Sequence, residues 1–340
     1  MANRIVNAQI HDLVRDEQGF RVVLGKPDFE VTKTAQWVID SLYELYRRRS
    51  SKSHGKFAAN DDLYPTQRQM KRYVEGKFKD FVALTTGLME TLKMQAGHKG
   101  AATGGHVFFA HFQAEGKDFL LVAIINEKLG AAITKDLDVQ DVQHLDLDGF
   151  KFAGRINISA WAKQEERYIS FLKGKGNVAD YFKEFLGCET PVLEKQDTLG
   201  LVAALKSYAD EQKMEQAERD LFLKKAKDIC TGYSARREEL SFEALSNQLV
   251  PDAPRKLLDA LTDPDLLLND QFVPDRRALG SLVKFQGHAK NWRIEFDRDA
   301  ITGGEIKFHA ASNSLTVTNL PEDLVAQLKD EYGNDEPNVR

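Results

Sequence analysis

Cysteine is scarce. Cys188 and Cys230 are the only two in 340 residues, too few for a disulfide framework or for an all-cysteine zinc or iron–sulfur site. Long apolar runs are also missing. The longest unbroken one, 119–125, is seven residues, against the roughly 20 that a membrane-spanning helix needs. The opening Met1-Ala2-Asn3-Arg4 does not lead into the apolar stretch of a secretory signal. The expectation is a soluble cytoplasmic protein with no membrane contact. Nor is there an overall excess of positive charge. Lys and Arg number 47 against 52 Asp and Glu, giving a formal charge of −5. That excludes a uniformly basic coat for DNA but leaves room for a local basic face. We find no internal repeat and no low-complexity tract.

What is present is an ordinary globular composition, 42% hydrophobic and 29% charged. At roughly 150 residues per domain the length suggests two. The chain changes character near residue 190, so the expected units are 1–190 and 191–340. The first alternates strand-like and helix-like segments. Residues 4–13 and 20–24 flank Asp16-Glu17-Gln18-Gly19 and read as a hairpin. Val38, Leu42, Leu45 and Tyr46 mark a helix over 34–49. Pro65 opens a second helix that should run to about residue 94 and stop at Gly97. Residues 106–113 and 119–126 flank Glu115-Gly116-Lys117-Asp118 as a second hairpin, its apolar strand buried on both faces. Further strands are expected at 131–135, 144–147 and 150–160.

The second unit reads as mostly helical, over 199–208, 211–230, 242–249, 253–261 and 276–285. Trp292, Ile294 and Phe296 alternate with polar residues, and with Ile306/Phe308 and Leu315/Val317 they suggest a three-stranded meander. A helix over 321–332 and a disordered tail complete the chain. The fold class is therefore α+β: a mainly antiparallel sheet with long helices, then a helical part ending in a small antiparallel meander.

Charge is segregated along the chain. Residues 1–100 carry a net +5 and residues 101–150 a net −5. Residues 151–300 carry −1 and the last forty −4. The densest basic stretch holds Arg47, Arg48, Arg49, Lys52, Lys56, Arg68, Lys71, Arg72, Lys77 and Lys79. On one continuous helix, Arg68, Arg72 and Lys79 fall within about 40° of one another and Lys71 about 60° to the side. Met70, Tyr73, Val74, Phe78 and Phe81 lie opposite. One reading is a phosphate-contacting face. The other is a solvated surface helix, with Glu75 inside the basic stripe.

Lys173-Gly174-Lys175-Gly176-Asn177 precedes an apolar helix. Glycines, two lysines and a helix N-terminus suit an anion, although there is no Gly-Lys-Ser/Thr of a Walker loop. A connector that needs glycine dihedrals fits equally. Asp297 with Glu305-Ile306-Lys307 on a neighbouring strand would match a Mg²⁺-dependent nuclease site, or a solvent-facing sheet with cross-strand ion pairs. His106 and His111 should face opposite sides of one strand and share no metal. Asp136, Asp138, Asp141, Asp146 and Asp148 lack the spacing of a Ca²⁺ loop and read as a solvated loop. No cofactor is expected.

Arg167-Tyr168-Ile169-Ser170-Phe171-Leu172-Lys173-Gly174-Lys175, then Val178-Ala179-Asp180-Tyr181-Phe182 and Phe185-Leu186-Gly187, strongly resembles the bacterial nucleoid-associated family called YejK or NdpA. So does Phe272-Val273-Pro274-Asp275-Arg276-Arg277 with Leu282-Val283-Lys284-Phe285, and the likeness covers nearly the whole chain in order. The resemblance implies DNA binding in the bacterial nucleoid, in the cytoplasm, without enzymatic activity. It supplies neither catalytic nor DNA-contact residues. The expected function is phosphate-backbone binding with weak sequence specificity. The candidate contacts are Arg47, Arg48, Arg49, Arg68, Lys71, Arg72, Lys79, Lys173 and Lys175. A homodimer is expected, because two copies double the phosphate contacts. Alternatives are an adaptor for a DNA-processing protein, or the Mg²⁺-dependent nuclease.

Overall fold

The computed structural model describes residues 3–60, 62–98, 102–173, 180–190 and 194–333. Strands β1 (Arg4–Asp16) and β2 (Gly19–Val23) form the opening hairpin. Gly19 takes φ +119° at its turn, a conformation that side-chain-bearing residues avoid. Helix α1 (Lys33–Arg48) is started by Thr32, whose hydroxyl accepts from the Ala35 amide at 3.2 Å. It buries Val38, Ile39, Leu42, Tyr43 and Tyr46 on one stripe, and Arg47 and Arg48 complement the negative end of its dipole.

After β3 (Lys52–Phe57) come α2 (Thr66–Glu75) and α3 (Phe81–Gly97). Then follow the hairpin β4 (Gly105–Ala114) and β5 (Lys117–Ile125), and a second hairpin, β6 (Glu127–Ile133) and β7 (Val139–Leu145). The half closes with β8 (Phe152–Asn157), α4 (Ile158–Ala162), β9 (Ile169–Leu172), α5 (Asp180–Phe185) and β10 (Cys188–Glu189).

Eight strands join in one sheet, ordered β10-β3-β9-β8-β5-β4-β1-β2, with every neighbour antiparallel. Side chains alternate across it. Val107, Phe109, Leu120, Val122 and Ile124 pack under α2, α3 and α5, whereas Phe108, Ala110, Phe112, Leu121 and Ala123 pack under α1. Both faces are covered, which is why β5 is apolar at consecutive positions.

The second half begins with α6 (Glu194–Glu211), α7 (Gln216–Arg236), α8 (Phe242–Leu249) and α9 (Pro254–Leu261). Leu201, Leu205, Leu223, Cys230, Leu245 and Leu257 lie in their common core. A short 3-10 helix (Ala278–Leu282) leads to β11 (Lys284–Ala289) and β12 (Trp292–Asp297). Then come α10 (Arg298–Thr302), β13 (Ile306–His309), β14 (Ser314–Val317) and α11 (Glu322–Tyr332). The fold is α+β, as the sequence suggests.

Several details differ from the sequence reading: the strand expected over 150–160 ends at Asn157, whose side chain caps α4, and β3 is not expected from the sequence. The helix opened by Pro65 is two helices. α2 stops at Gly76, Lys77 and Phe78 take φ of 55° and 62°, and Asp80 caps α3 by accepting from the Ala83 amide at 3.1 Å. The expected meander is two separate two-stranded hairpins, β11–β12 and β13–β14. Residues 276–285 are not a helix of that length but a 3-10 turn over Ala278–Leu282 and the start of β11, with Leu279, Leu282 and Val283 in the core. The acidic stretch 136–148 lies mostly on the exposed hairpin β6–β7. The expected tail lies outside the described residues.

Candidate nucleic-acid interface

The cations singled out in the sequence do not assemble into one face. Arg47 ends α1 with Glu44 at 3.6 Å and the Tyr43 ring at 5.8 Å. Arg48 is exposed. Arg49 donates to the Asp148 carbonyl and lies 5.2 Å from the Phe150 ring centroid. On α2, Arg68 pairs with Asp62 at 3.1 Å and Lys71 approaches Glu75 at 3.9 Å. Arg72 is exposed without an ion pair among the described residues. Lys79 lies in the break between α2 and α3, so the expected continuous stripe from Arg68 to Lys79 does not form.

Lys173 is tied to the second half of the chain. Its Nζ donates to the Gln271 carbonyl at 2.9 Å and sits 3.4 Å from Glu239. Lys175 and the Gly174–Gly176 turn lie outside the described residues. Lys52 is buried at 6% exposure, donating to the Arg47 carbonyl at 2.8 Å.

The carboxylates of the nuclease reading do not converge as expected. Asp297 ends β12 and precedes α10, while Lys307 sits on β13 of a separate hairpin. Among the described residues no three His, Cys, Asp or Glu side chains form a metal-holding group. His111 is buried, with Nδ1 2.8 Å from the Tyr73 hydroxyl and Nε2 3.0 Å from Asp118. His106 approaches Asp12 at 2.6 Å.

Tertiary structure gathers a different set. Lys195 of α6, Lys227 of α7, Arg276 and Arg277 before the 3-10 helix, Lys284 of β11 and Arg293 of β12 line one cleft of about 850 Å³. Its only carboxylates among the lining residues are Asp228 and Glu295. Glu295 is shared by Lys284 at 2.8 Å and Arg293 at 3.1 Å, and the Lys284 hydrogen bond holds its pKa below the ordinary value. Lys195, Lys227, Arg276 and Arg277 have no ion pair among the described residues.

The double arginine is held outward by its neighbours. The Asp275 amide donates to the Thr198 hydroxyl at 2.8 Å, and the Asp275 carboxylate accepts from the Ala278 amide at 2.8 Å. Leu279 and Leu282, fully buried, anchor the turn that follows. The arginines that precede it are therefore exposed on a fixed base. Guanidinium groups bind phosphate oxygens in a bidentate fork, and an excess of cations in a cleft concentrates its field.

Sequence reasoning missed this cleft. Arg276-Arg277, after Pro274-Asp275 and before a short apolar run, was the only local signal. Lys195, Lys227 and Arg293 are about 30 to 100 residues apart, and each sits in an unremarkable polar context.

Among the described residues, no helix is long and apolar enough to cross a membrane. A family model described as nucleoid-associated protein YejK matches residues 10–325. A nucleoid-associated protein of Metapseudomonas resinovorans is 31% identical over 326 residues, spanning 94% of this chain and 97% of that protein. One from Pseudomonas aeruginosa strain UCBPP-PA14 is 30% identical, spanning 96% and 97%. Another, from Pseudomonas fluorescens strain Pf0-1, is 30% identical over 94% and 97%. With the model matching from the first strand to the last helix, the chain belongs to the YejK family of nucleoid-associated proteins.

Proposed function

We propose that this chain is a non-catalytic DNA-binding protein of the bacterial nucleoid that contacts the phosphate backbone with weak sequence specificity. The observation that carries this reading is the cleft of Lys195, Lys227, Arg276 and Arg277, four cations without ion pairs among the described residues. Family membership supports the nucleoid setting. In this proposal Arg47, Arg48 and Arg49 at the end of α1 and Arg68, Lys71 and Arg72 on α2 are two secondary basic patches, on the two helices that cover opposite faces of the sheet. They are weaker because several of these side chains already face carboxylates.

The test is fluorescence anisotropy on unrelated duplexes across a salt series. Arg276→Gln/Arg277→Gln should weaken binding on all of them and flatten the slope of log K against log salt by about 1.8, at roughly 0.9 per lost phosphate contact. An unchanged slope in a folded double variant refutes the cleft as the DNA surface. Magnesium-dependent cleavage by the wild-type protein refutes the non-catalytic reading.

The protein acts as a homodimer in this proposal. No residue of α11 is buried, and Phe308, Leu315, Val317, Leu324 and Leu328 are exposed on β13, β14 and α11. An 11-residue helix is marginal in water without an apolar partner, and a second copy is the commonest one. Light scattering should give a dimer for wild type and a monomer for Leu324→Glu/Leu328→Glu.

A further inference from the structure

A second cavity, of about 320 Å³, lies where the α1-covered side of the sheet meets the segment after α9. Tyr43 and Arg47 of α1, His54 of β3, Phe119 of β5 and Arg155 of β8 line it, together with Arg167 and, from the second half, Pro264, Asp265 and Leu267. It shares no lining residue with the basic cleft.

Arg155 is the unusual feature. It is 9% exposed, yet among the described residues no carboxylate lies within ion-pair distance of it. Its guanidinium sits 4.7 Å from the Phe119 ring centroid, and Nη1 donates to the Tyr43 hydroxyl at 3.1 Å. Nε has no partner. Two more orphaned buried atoms belong to the lining, Nε of Arg167 and Nδ1 of His54. Arg167 uses its other nitrogens on Asp197 and on the Leu267 carbonyl. Lys52, buried nearby, has no ion pair among the described residues either.

The carboxylates that line the cavity, Glu115, Glu165 and Asp265, are all exposed and therefore solvated. Lys117 shares that exposed rim and Arg167 is neutralised by Asp197, so Arg155 is the buried cation of the lining without a carboxylate partner among the described residues. Water satisfies an orphan N–H but does not neutralise a buried guanidinium, whereas an oxyanion does both. The lining residues His54, Arg155 and Arg167 come from β3, from β8 and from the segment before β9, so the wall of the cavity is drawn from several elements. That suits a tetrahedral anion better than a planar carboxylate, which one fork can satisfy. The volume is at the lower end of the ~300–1,000 Å³ typical of small-molecule sites.

We propose that this cavity binds a phosphate group, free or carried on a small molecule, with Arg155 as its anchor and Arg47 at its mouth. The probes are inorganic phosphate and adenosine 5′-monophosphate, titrated into the full-length protein by calorimetry and by ³¹P NMR. Wild type should bind phosphate saturably at millimolar concentration or below. Arg155→Gln should weaken binding by about tenfold or more, the loss of a charge-assisted contact. Tighter binding of the nucleotide identifies a carried phosphate, and equal binding identifies the free ion. Failure of wild type to bind either probe overturns the site. Equal affinity in wild type and Arg155→Gln overturns it as well, placing the anion elsewhere. Should Arg155→Gln not fold, Arg47→Gln replaces it: a several-fold loss upholds the site and unchanged affinity overturns it.

Discussion

The sheet-built half and the helical half treat positive charge in opposite ways. Residues 1–100 hold the sequence's surplus of cations, net +5, but much of it is neutralised or withdrawn from the surface. Arg68 faces Asp62, Arg47 faces Glu44, and Lys52 is buried under α1. Residues 151–300 are near neutral at −1, yet they supply the whole lining of the basic cleft. Their carboxylates are spent elsewhere: Asp197 on buried Arg167, Asp299 on Lys224, Asp220 on Arg298. A segment's net charge therefore says little about its surface potential. What matters is which cations remain after the fold has made its pairs.

The two halves are joined by a junction that gives the largest expected effect. We propose that 1–190 and 191–340 are two units clamped by Arg167 and Asp197. This pair is bidentate at 2.6 and 3.0 Å and nearly inaccessible, and Asp197 also accepts from the Asn269 side chain at 3.1 Å. Asn269 in turn accepts from the His54 amide at 2.6 Å. Asp197→Leu strands a buried guanidinium and should cost about 3–5 kcal/mol in urea unfolding. A loss below about 1 kcal/mol, within the ordinary range for surface changes, would mean that the halves do not depend on this clamp.

The next effect separates the buried cations from the displayed ones. Burial, then Arg155 and Arg47, lowers the Lys52 pKa from 10.5 to about 8. Between those values the unfolded chain holds a proton that the folded chain has lost, so stability should rise with pH from about 8 upward. Cys188 and Cys230 oppose this above 9, because burial raises their thiols from 9.0 to about 12 while the unfolded thiols ionise. The readable window is therefore about pH 8 to 9, with a slope approaching 1.4 kcal/mol per unit. Lys52→Met should remove that rise in urea-unfolding series, and a rise that persists in the variant would assign it to another group. On the acid side, burial lowers the pKa of His54, His11 and His111. Below about 6.5 the unfolded chain takes up protons that these folded imidazoles refuse, so stability should fall as pH drops.

The smallest effect is expected on α2. Arg72→Glu/Lys79→Glu alters two exposed residues, one on α2 and one in the α2–α3 connection, so melting temperature should hardly move and the salt slope should change by less than about 1. A change as large as that of Arg276→Gln/Arg277→Gln would reverse the comparison and return the DNA surface to the sheet half.

Much of the fold was legible because it is written locally. The opening hairpin, α1, and the β4–β5 pair follow from period, turn residues and an apolar run. Strand β3 was not legible: Lys-Ser-His-Gly-Lys-Phe has no apolar alternation, and its Lys52 and His54 are buried polar residues. The α2–α3 break was hidden because apolar and basic periodicity continues across Gly76, while the backbone at Lys77 and Phe78 turns left-handed. Phe78 is held there by packing 4.7 Å from the buried His111 ring.

The α+β class, the family resemblance and the lack of a disulfide scaffold or a long apolar run are readable along the chain, because composition, periodicity and ordered motifs are properties of sequence neighbours. The candidate cleft and cavity exist only once the chain is folded. Lys195, Lys227, Arg276 and Arg293 come together across nearly one hundred residues, and Arg155 becomes a buried cation with no ion pair among the described residues only once β8 is covered by α1 and the segment after α9. Charge acts through distance and desolvation, and both are set by which segments fold against one another.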